Sequence, residues 1–376
     1  MATRPRLRNS PAPPPGAFLR GILFVVLLFP VTGAADSDRA TGHWGGARTR
    51  LADAGVGIEV DYIAESFGRD DAENGSYLGN LDVMLTFDTG KLGAWPGGQV
   101  FLYGQNNHSS GISHSLNLTM PVSNLDAEPF TQLSEFWLEQ WIGSRVTVRL
   151  GKQDANRDFA GARFAGNFLN SSFGVLPGSP MPSFPAPALG AAVLTEPTSW
   201  LGVHAGIYEG NPKVGSFGES AFEHDAGLFA IGALVVRHAL GRPDAGIGSI
   251  GGWTHTESDR SGLYAIYDLL VPVDPNDSEN SRTFQFFVRG GWSPQDDEDV
   301  GLYVGGGVTA HGFLGASNTI GLGTGHAQTE TSHETFVELF FKWRPRPWLT
   351  VEPDVQFYDT GGEHPLFFGL RLKLKL

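Results

Sequence analysis

From residue 56 to the C-terminus the chain alternates. Ile58-Glu59-Val60-Asp61-Tyr62 and Asp82-Val83-Met84-Leu85-Thr86-Phe87-Asp88 switch between apolar and polar residues at every step. Arg145-Val146-Thr147-Val148-Arg149-Leu150 does the same, and so does the terminal Leu370-Arg371-Leu372-Lys373-Leu374-Lys375-Leu376. A period of two puts one chemical class on each face of a β-strand. A helix cannot use this pattern, because its faces repeat every 3.6 residues. The fold class this predicts is all-β.

Sixteen segments carry the pattern: 56–66, 79–90, 98–106, 132–142, 145–152, 187–195, 199–208, 226–238, 246–257, 262–272, 282–293, 300–311, 316–327, 333–343, 348–358 and 365–376. Most have the length that a tilted strand needs to cross a bilayer. The segments at 187–195 and 316–327 are rich in Gly and Ala and read least clearly as strands. Counted from the first strand, one set of connections is short. It includes 91–97, the two-residue turn 143–144 and 344–347. The other set contains the long stretches 67–78, 107–131, 153–186 and 209–225, followed by four short loops. An even strand count, short turns on one side and long loops on the other describe a transmembrane barrel. Sixteen strands leave room for an aqueous channel. The expectation is a 16-stranded antiparallel transmembrane β-barrel with a short N-terminal periplasmic helix and a long third loop.

A soluble sandwich also alternates, but the last strand argues against one. Leu366, Phe368, Leu370, Leu372, Leu374 and Leu376 share one face. Exposed on a terminal edge strand, that stripe invites aggregation, and barrel closure removes the edge. Trp343, Trp348, Phe340, Phe341, Phe357 and Tyr358 crowd strand ends, as interfacial aromatic girdles do.

The N-terminus reads as a secretory signal. Arg4, Arg6, Arg8 and Arg20 precede or flank the nine-residue apolar run Gly21–Phe29. That run is far short of the ~20 residues of a spanning helix. Gly33-Ala34-Ala35 suits cleavage before Asp36. The expected organisation is a signal peptide at 1–35, an N-terminal periplasmic segment at 36–55 and a barrel at 56–376. Residues 41–55 are the one plausible helix, stopped by Gly55. The signal holds four of the 26 basic residues and no acid. The remaining 22 basic and 40 acidic groups give a net charge of −18. That balance argues against a nucleic-acid partner. With no Cys in the chain, a disulfide framework, a thiolate metal site and a Cys nucleophile are excluded.

Several local sequences add to this frame. Thr41-Gly42-His43-Trp44-Gly45-Gly46-Ala47-Arg48, then Leu51, stands at the start. Glu135-Phe136-Trp137-Leu138-Glu139-Gln140 and Arg149-Leu150-Gly151-Lys152-Gln153 fall on the fourth and fifth strands. Phe168-Leu169-Asn170-Ser171-Ser172-Phe173-Gly174 and a Pro-rich stretch ending at Gly190 fill the third loop. Gly262-Leu263-Tyr264-Ala265 and Pro347-Trp348-Leu349-Thr350-Val351-Glu352-Pro353-Asp354 follow. In order and spacing, these resemble the OprB carbohydrate-selective porins over nearly the whole chain after residue 35. The resemblance implies an outer-membrane channel of a Gram-negative bacterium that passes sugars by passive diffusion. One departure is Leu376, where such barrels usually end in an aromatic residue.

If apolar side chains face lipid, the residues between them face the lumen. Glu135, Trp137 and Glu139 then point inward from the fourth strand. Arg145 and Arg149, with Thr147, point inward from the fifth, and Arg371, Lys373 and Lys375 face the lumen or its rim. Carboxylates and guanidinium groups bond sugar hydroxyls, and a flat indole offers a stacking face. Such contacts must be weak on balance, because conduction requires exit as well as entry. The third loop, at 34 residues, is long enough to expect a functional role. The resemblance suggests that it folds into the barrel and narrows it. Asp154, Arg157, Asp158 and Arg163 are its constriction candidates, and its prolines stiffen the return. The loop 107–131, with His108 and His114, is a candidate to reach a neighbouring subunit in a homo-trimer. Asp296, Asp297, Glu298 and Asp299 form an acidic outer run.

Other classes find less support. Gly246-Ile247-Gly248-Ser249-Ile250-Gly251 fits a dinucleotide fingerprint but has no βαβ setting. No catalytic motif appears and the eleven His are scattered, so no enzyme activity, cofactor or metal is expected. The expected partners are small sugars and outer-membrane lipid. The alternatives are a weakly selective, cation-leaning general porin, and beyond it an outer-membrane enzyme or adhesin.

Overall fold

The computed structural model describes residues 38–70, 75–109, 112, 117–219, 227–239, 245–273, 282–294 and 300–376. The expected signal segment, His114 and the acidic run 296–299 lie outside the described residues.

The sixteen strands are β1 (Val56–Arg69), β2 (Ser76–Asp88), β3 (Gly98–Asn107), β4 (Phe130–Ile142), β5 (Val146–Gln153), β6 (Ala188–Thr198), β7 (Leu201–Glu209) and β8 (Leu228–His238), followed by β9 (Gly246–His255), β10 (Arg260–Pro272), β11 (Thr283–Trp292), β12 (Leu302–His311), β13 (Thr319–Gln328), β14 (His333–Arg346), β15 (Leu349–Asp359) and β16 (Leu366–Lys375). Each pairs antiparallel with the next, and β16 pairs with β1 to close the barrel. The seam is in register, with Glu65 opposite Arg371 and Asp61 opposite Lys375. Closure leaves no unpaired edge, which is how strands cross a hydrocarbon layer. No helix among the described residues is long and apolar enough to cross a membrane.

Alternation sorts the side chains as expected. Leu150, Val203, Ile250, Leu263, Val304, Leu339 and Phe368 stand exposed on the outside. So much apolar exterior would be a liability in water and is the lipid face of a barrel. Two of the expected girdle aromatics depart from that role. Trp343 and Phe357 are exposed on the outside, whereas Phe340 and Tyr358 are fully buried inside. Parity explains this, because each is one residue from an outward neighbour.

The N-terminal helix is shorter than the expected 41–55. A 3-10 turn at Trp44–Gly46 leads into α1 (Ala47–Asp53). Gly55, at φ 95°, ends it, and a Cβ there would stand 2.8 Å from Lys91. This segment holds the end of the chain. Arg48 Nη2 donates to the Leu376 carbonyl at 3.1 Å, and the Ala40 amide donates to the Lys375 carbonyl at 2.8 Å. The Leu376 amide donates to Val60.

The β5–β6 loop folds inside the barrel. It carries α2 (Asn156–Phe159), a 3-10 turn (Ala165–Asn167) and α3 (Ser171–Gly174). Phe168 and Phe173 pack edge-on against Phe287, Phe336 and Phe340, with ring centroids 4.9–5.4 Å apart. Burying each such ring contributes about 1.5–3 kcal/mol. The glycines that weakened the pattern over 316–327 make room for these rings. A Cβ on Gly323 of β13 would lie 2.7 Å from Phe168, as would one on Gly307 of β12.

The β3–β4 loop also turns inward. Met120, Val122 and Leu125 are buried. Gln356 donates to the Val122 carbonyl and Tyr358 to the Met120 carbonyl, both at 2.8 Å. The two loops also bond each other, Asn124 N to Leu169 O and Ser171 N to Pro121 O. Residues 117–126 are therefore bound to the wall of their own barrel and to the β5–β6 loop.

Candidate functional site: the lumen

With the β5–β6 loop packed toward β10–β14 and the β3–β4 loop toward β14 and β15, the open part of the lumen lies along the rest of the wall. It is a cavity of about 700 Å³. Lys342 and Arg344 of β14 and Arg371, Lys373 and Lys375 of β16 line it, with Glu352 of β15 between them. Asn80 and Asp82 of β2, Tyr103 and Gln105 of β3, and Asp126, Asp154, Asn156 and Ser171 of the loops also line it. Bases therefore gather at one end of the arc, and acids and neutral hydrogen-bonding groups at the other.

Acidic neighbours offset three of the bases. Lys373 Nζ stands 2.9 Å from Asp61 and Lys342 Nζ 3.5 Å from Glu352. Arg371 pairs with Glu65 and donates to Asn124 Oδ1 at 2.6 Å. Arg344 and Lys375 are exposed at the turn side and have no ion pair among the described residues. On the other wall, Asp82 Oδ1 accepts from Tyr103 at 2.6 Å, Asn80 at 2.7 Å and Gln105 at 3.3 Å.

The residues singled out from the sequence fall into three groups. Glu135, Trp137, Glu139, Arg149, Arg157 and Asp158 come together in one network on the inner wall. Arg149 donates from Nε and Nη2 to Glu139 Oε2, at 2.9 and 2.5 Å, and from Nη1 to Asp158. Glu135 accepts from Trp137 Nε1 at 3.1 Å and from Arg157 Nη2 at 2.5 Å. Phe101 of β3 stacks on Trp137 at 4.7 Å, and the Arg149 guanidinium of β5 lies 4.6 Å from the same ring. β3 and β5 flank β4 on opposite sides, so the indole is held between them and is only 7% exposed. Its stacking surface is taken by protein groups. Arg157 is the exposed member, with 41% of its side chain accessible.

Asp154 forms the second group, since it alone of the nine candidates lines the cavity. Its carboxylate accepts from Ser183 Oγ at 2.9 Å and from the Asn156 amide at 2.8 Å. Burial, then the charge of Glu135, pushes its carboxyl up from the ordinary 3.8 to about 6, against the pull of Arg157. Burial also raises Asp158, although Arg149 opposes the shift.

Arg145 and Arg163 join neither group. Arg145 has the right parity, but β5 begins one residue later, and Arg145 is exposed in the turn before it. Arg163 is an exposed loop residue whose guanidinium lies 5.0 Å from the Phe164 ring. Its amide donates to Asp268 of the wall at 3.0 Å. The liners Asp82, Tyr103, Lys342, Arg344 and Glu352 are not singled out by the sequence. Parity on β2, β3, β14 and β15 marks them as inward, but only the packing of the loops shows which inward residues stay open to water.

A closed sixteen-strand barrel with an apolar exterior, a polar interior and a long loop folded into its lumen is a porin. The model of the carbohydrate-selective porin, OprB family, matches residues 72–376, and the chain belongs to that family. Its place is the outer membrane of a Gram-negative bacterium. The fold is similar to the high-pH structure of Pseudomonas putida OprB, with a TM-score of 0.79 and 18% identity over 92% of this chain and 100% of that one. The low-pH structure of the same protein gives 0.65 and 18% identity over 91% and 99%. A loop-deletion mutant of OmpT from Vibrio cholerae gives 0.55 and 12% over 86% and 100%. No curated protein matches the sequence.

Proposed function

We propose that the chain passes small sugars by passive diffusion, and that the cavity between the inserted loops and the β14–β3 arc is their path. The supporting observation is its lining, with bases on β14 and β16 facing Asp82, Asp154, Tyr103 and Gln105. A neutral polyol can exchange hydrogen bonds with both walls in turn, none of them strong enough to hold it. Family membership supports carbohydrates as the substrate class. The net charge of −18 favours the cation-leaning alternative. Five bases along the path weigh against it.

The test is proteoliposome swelling with monosaccharides, disaccharides and size-matched polar solutes that are not sugars. Faster entry of sugars than of matched solutes, reduced by Asp82→Asn or Tyr103→Phe, is the expected result. Equal rates for all matched solutes would leave a general porin.

A further inference from the structure

Three inward carboxylates of the wall share one geometry. Glu338 of β14 accepts from the amides of Leu169 and Asn170 at 2.6 and 3.1 Å. Glu334, two pleat repeats away on the same face, accepts from Thr119 and Met120 at 3.0 and 2.7 Å. Asp268 of β10 accepts from Arg163 and Phe164 at 3.0 and 3.1 Å. Each carboxylate takes two consecutive main-chain N–H groups, one on each oxygen. All three are nearly inaccessible to solvent.

Their positions along the loops follow a pattern. Thr119 and Met120 directly precede Pro121, which lines the cavity together with residues 123–126. Arg163 and Phe164 precede the lining residue Gly166, and Leu169 and Asn170 precede the lining residue Ser171. Every carboxylate holds the chain beside a segment that borders the open path. The pull is toward β10 and β14, and the path lies on the other side of those segments.

We propose that Asp268, Glu334 and Glu338 are positioning residues for permeation, which strap the two inserted loops to the wall and so set the bore of the pore. The proposal rests on the porin reading of the chain. The apolar seat of Phe168 and Phe173 keeps the β5–β6 loop inside the barrel whether or not the straps hold. A carboxylate is the group the geometry calls for, because both oxygens accept. An amide in its place offers one acceptor and turns an N–H₂ toward the second donor. A buried N–H that loses its partner must find another, and the nearest water is in the path. Released segments therefore move into the pore.

The experiment is single-channel recording of the full chain in planar bilayers, wild type against Glu338→Gln and Glu334→Gln. Only protein that shows the heat-dependent gel shift of a folded barrel is used. The expected result is loss of the fully open conductance level, frequent short closures and slower monosaccharide swelling, with the gel shift kept. Glu338→Gln acts on the β5–β6 loop and Glu334→Gln on the β3–β4 loop, so either one carries the test if the other does not fold. Unchanged conductance in a folded variant overturns the proposal. So does a larger conductance, which would mean that the carboxylates hold the loops across the bore. A wild-type protein that folds but forms no pore refutes the porin reading, and the straps with it.

Discussion

Phe168 of the inserted loop occupies the space that a side chain on Gly323 of β13 would need, with its ring edge 2.7 Å from where that Cβ would stand. Phe173 lies 2.9 Å from the same point. The glycine and the two rings form one joint.

Gly323→Val is therefore expected to unseat the loop without opening the barrel. Overpacking a well-filled site costs about 1–3 kcal/mol. The folded band should disappear at a lower temperature on unheated-to-heated gel series. Gly57→Ala, where an added Cβ meets only Thr86 at 3.4 Å, should change little.

Arg149 holds two acids that would otherwise face each other. Arg149→Ala leaves Glu139 and Asp158 buried without their counter-charge, a change that costs about 3–5 kcal/mol. The triple variant Arg149→Met, Glu139→Gln, Asp158→Asn should recover most of it. Denaturant titration of the folded band separates the two outcomes. If Arg149→Ala is as stable as wild type, the network contributes nothing to the fold.

Arg344 and Lys375 give the turn-side mouth a positive sign. Wild type should pass chloride at least as readily as potassium under a salt gradient, despite its net negative charge. Arg344→Glu with Lys375→Glu should move the zero-current potential toward that of a cation-selective pore. Exposed charges act through screened fields, so the shift should shrink as salt is raised.

Asp154 should make conduction depend on pH. With its carboxyl pushed up to about 6, it is charged at pH 7 and mostly neutral at pH 5. The cavity loses negative charge on that descent, and cation permeability should fall relative to anion permeability. Asp154→Asn should hold the low-pH selectivity at both values. The linkage to stability has the same origin. A folded value above the ordinary 3.8 means that protonation favours the fold. The contribution is full below pH 3.8 and is lost as pH rises through 6.

The barrel was legible because lipid and water enforce the period of two on every strand. Sixteen segments read from alternation became sixteen strands, including the two weakest. What single-strand patterns do not carry is the partner on another element. Gly321, Gly323 and Gly325 dilute the signal of β13 when read alone, and their reason is a phenylalanine on another element in each case. Trp137 reads as a free stacking face until Phe101 and Arg149 are placed on either side of it. Arg145 shows a different limit, since parity survives past a strand's end while the wall does not. The inward turn of residues 117–126 had no local signal, because the groups that hold it sit on β14, β15 and β16 and on β1, where Glu65 accepts from Ser123 Oγ at 2.6 Å.

The straps grip amides, and every residue except proline carries one. Glu334, Glu338 and Asp268 thus hold the loops without using the side chains of the residues they grip. Ser171, which borders the path, can be exchanged for another residue while Glu338 keeps the neighbouring backbone where it is. Proline at 119, 120, 163, 164, 169 or 170 is the substitution this arrangement forbids. A lineage of such pores can rewrite what it admits by changing single lining residues, with no need to reinvent the frame that presents them.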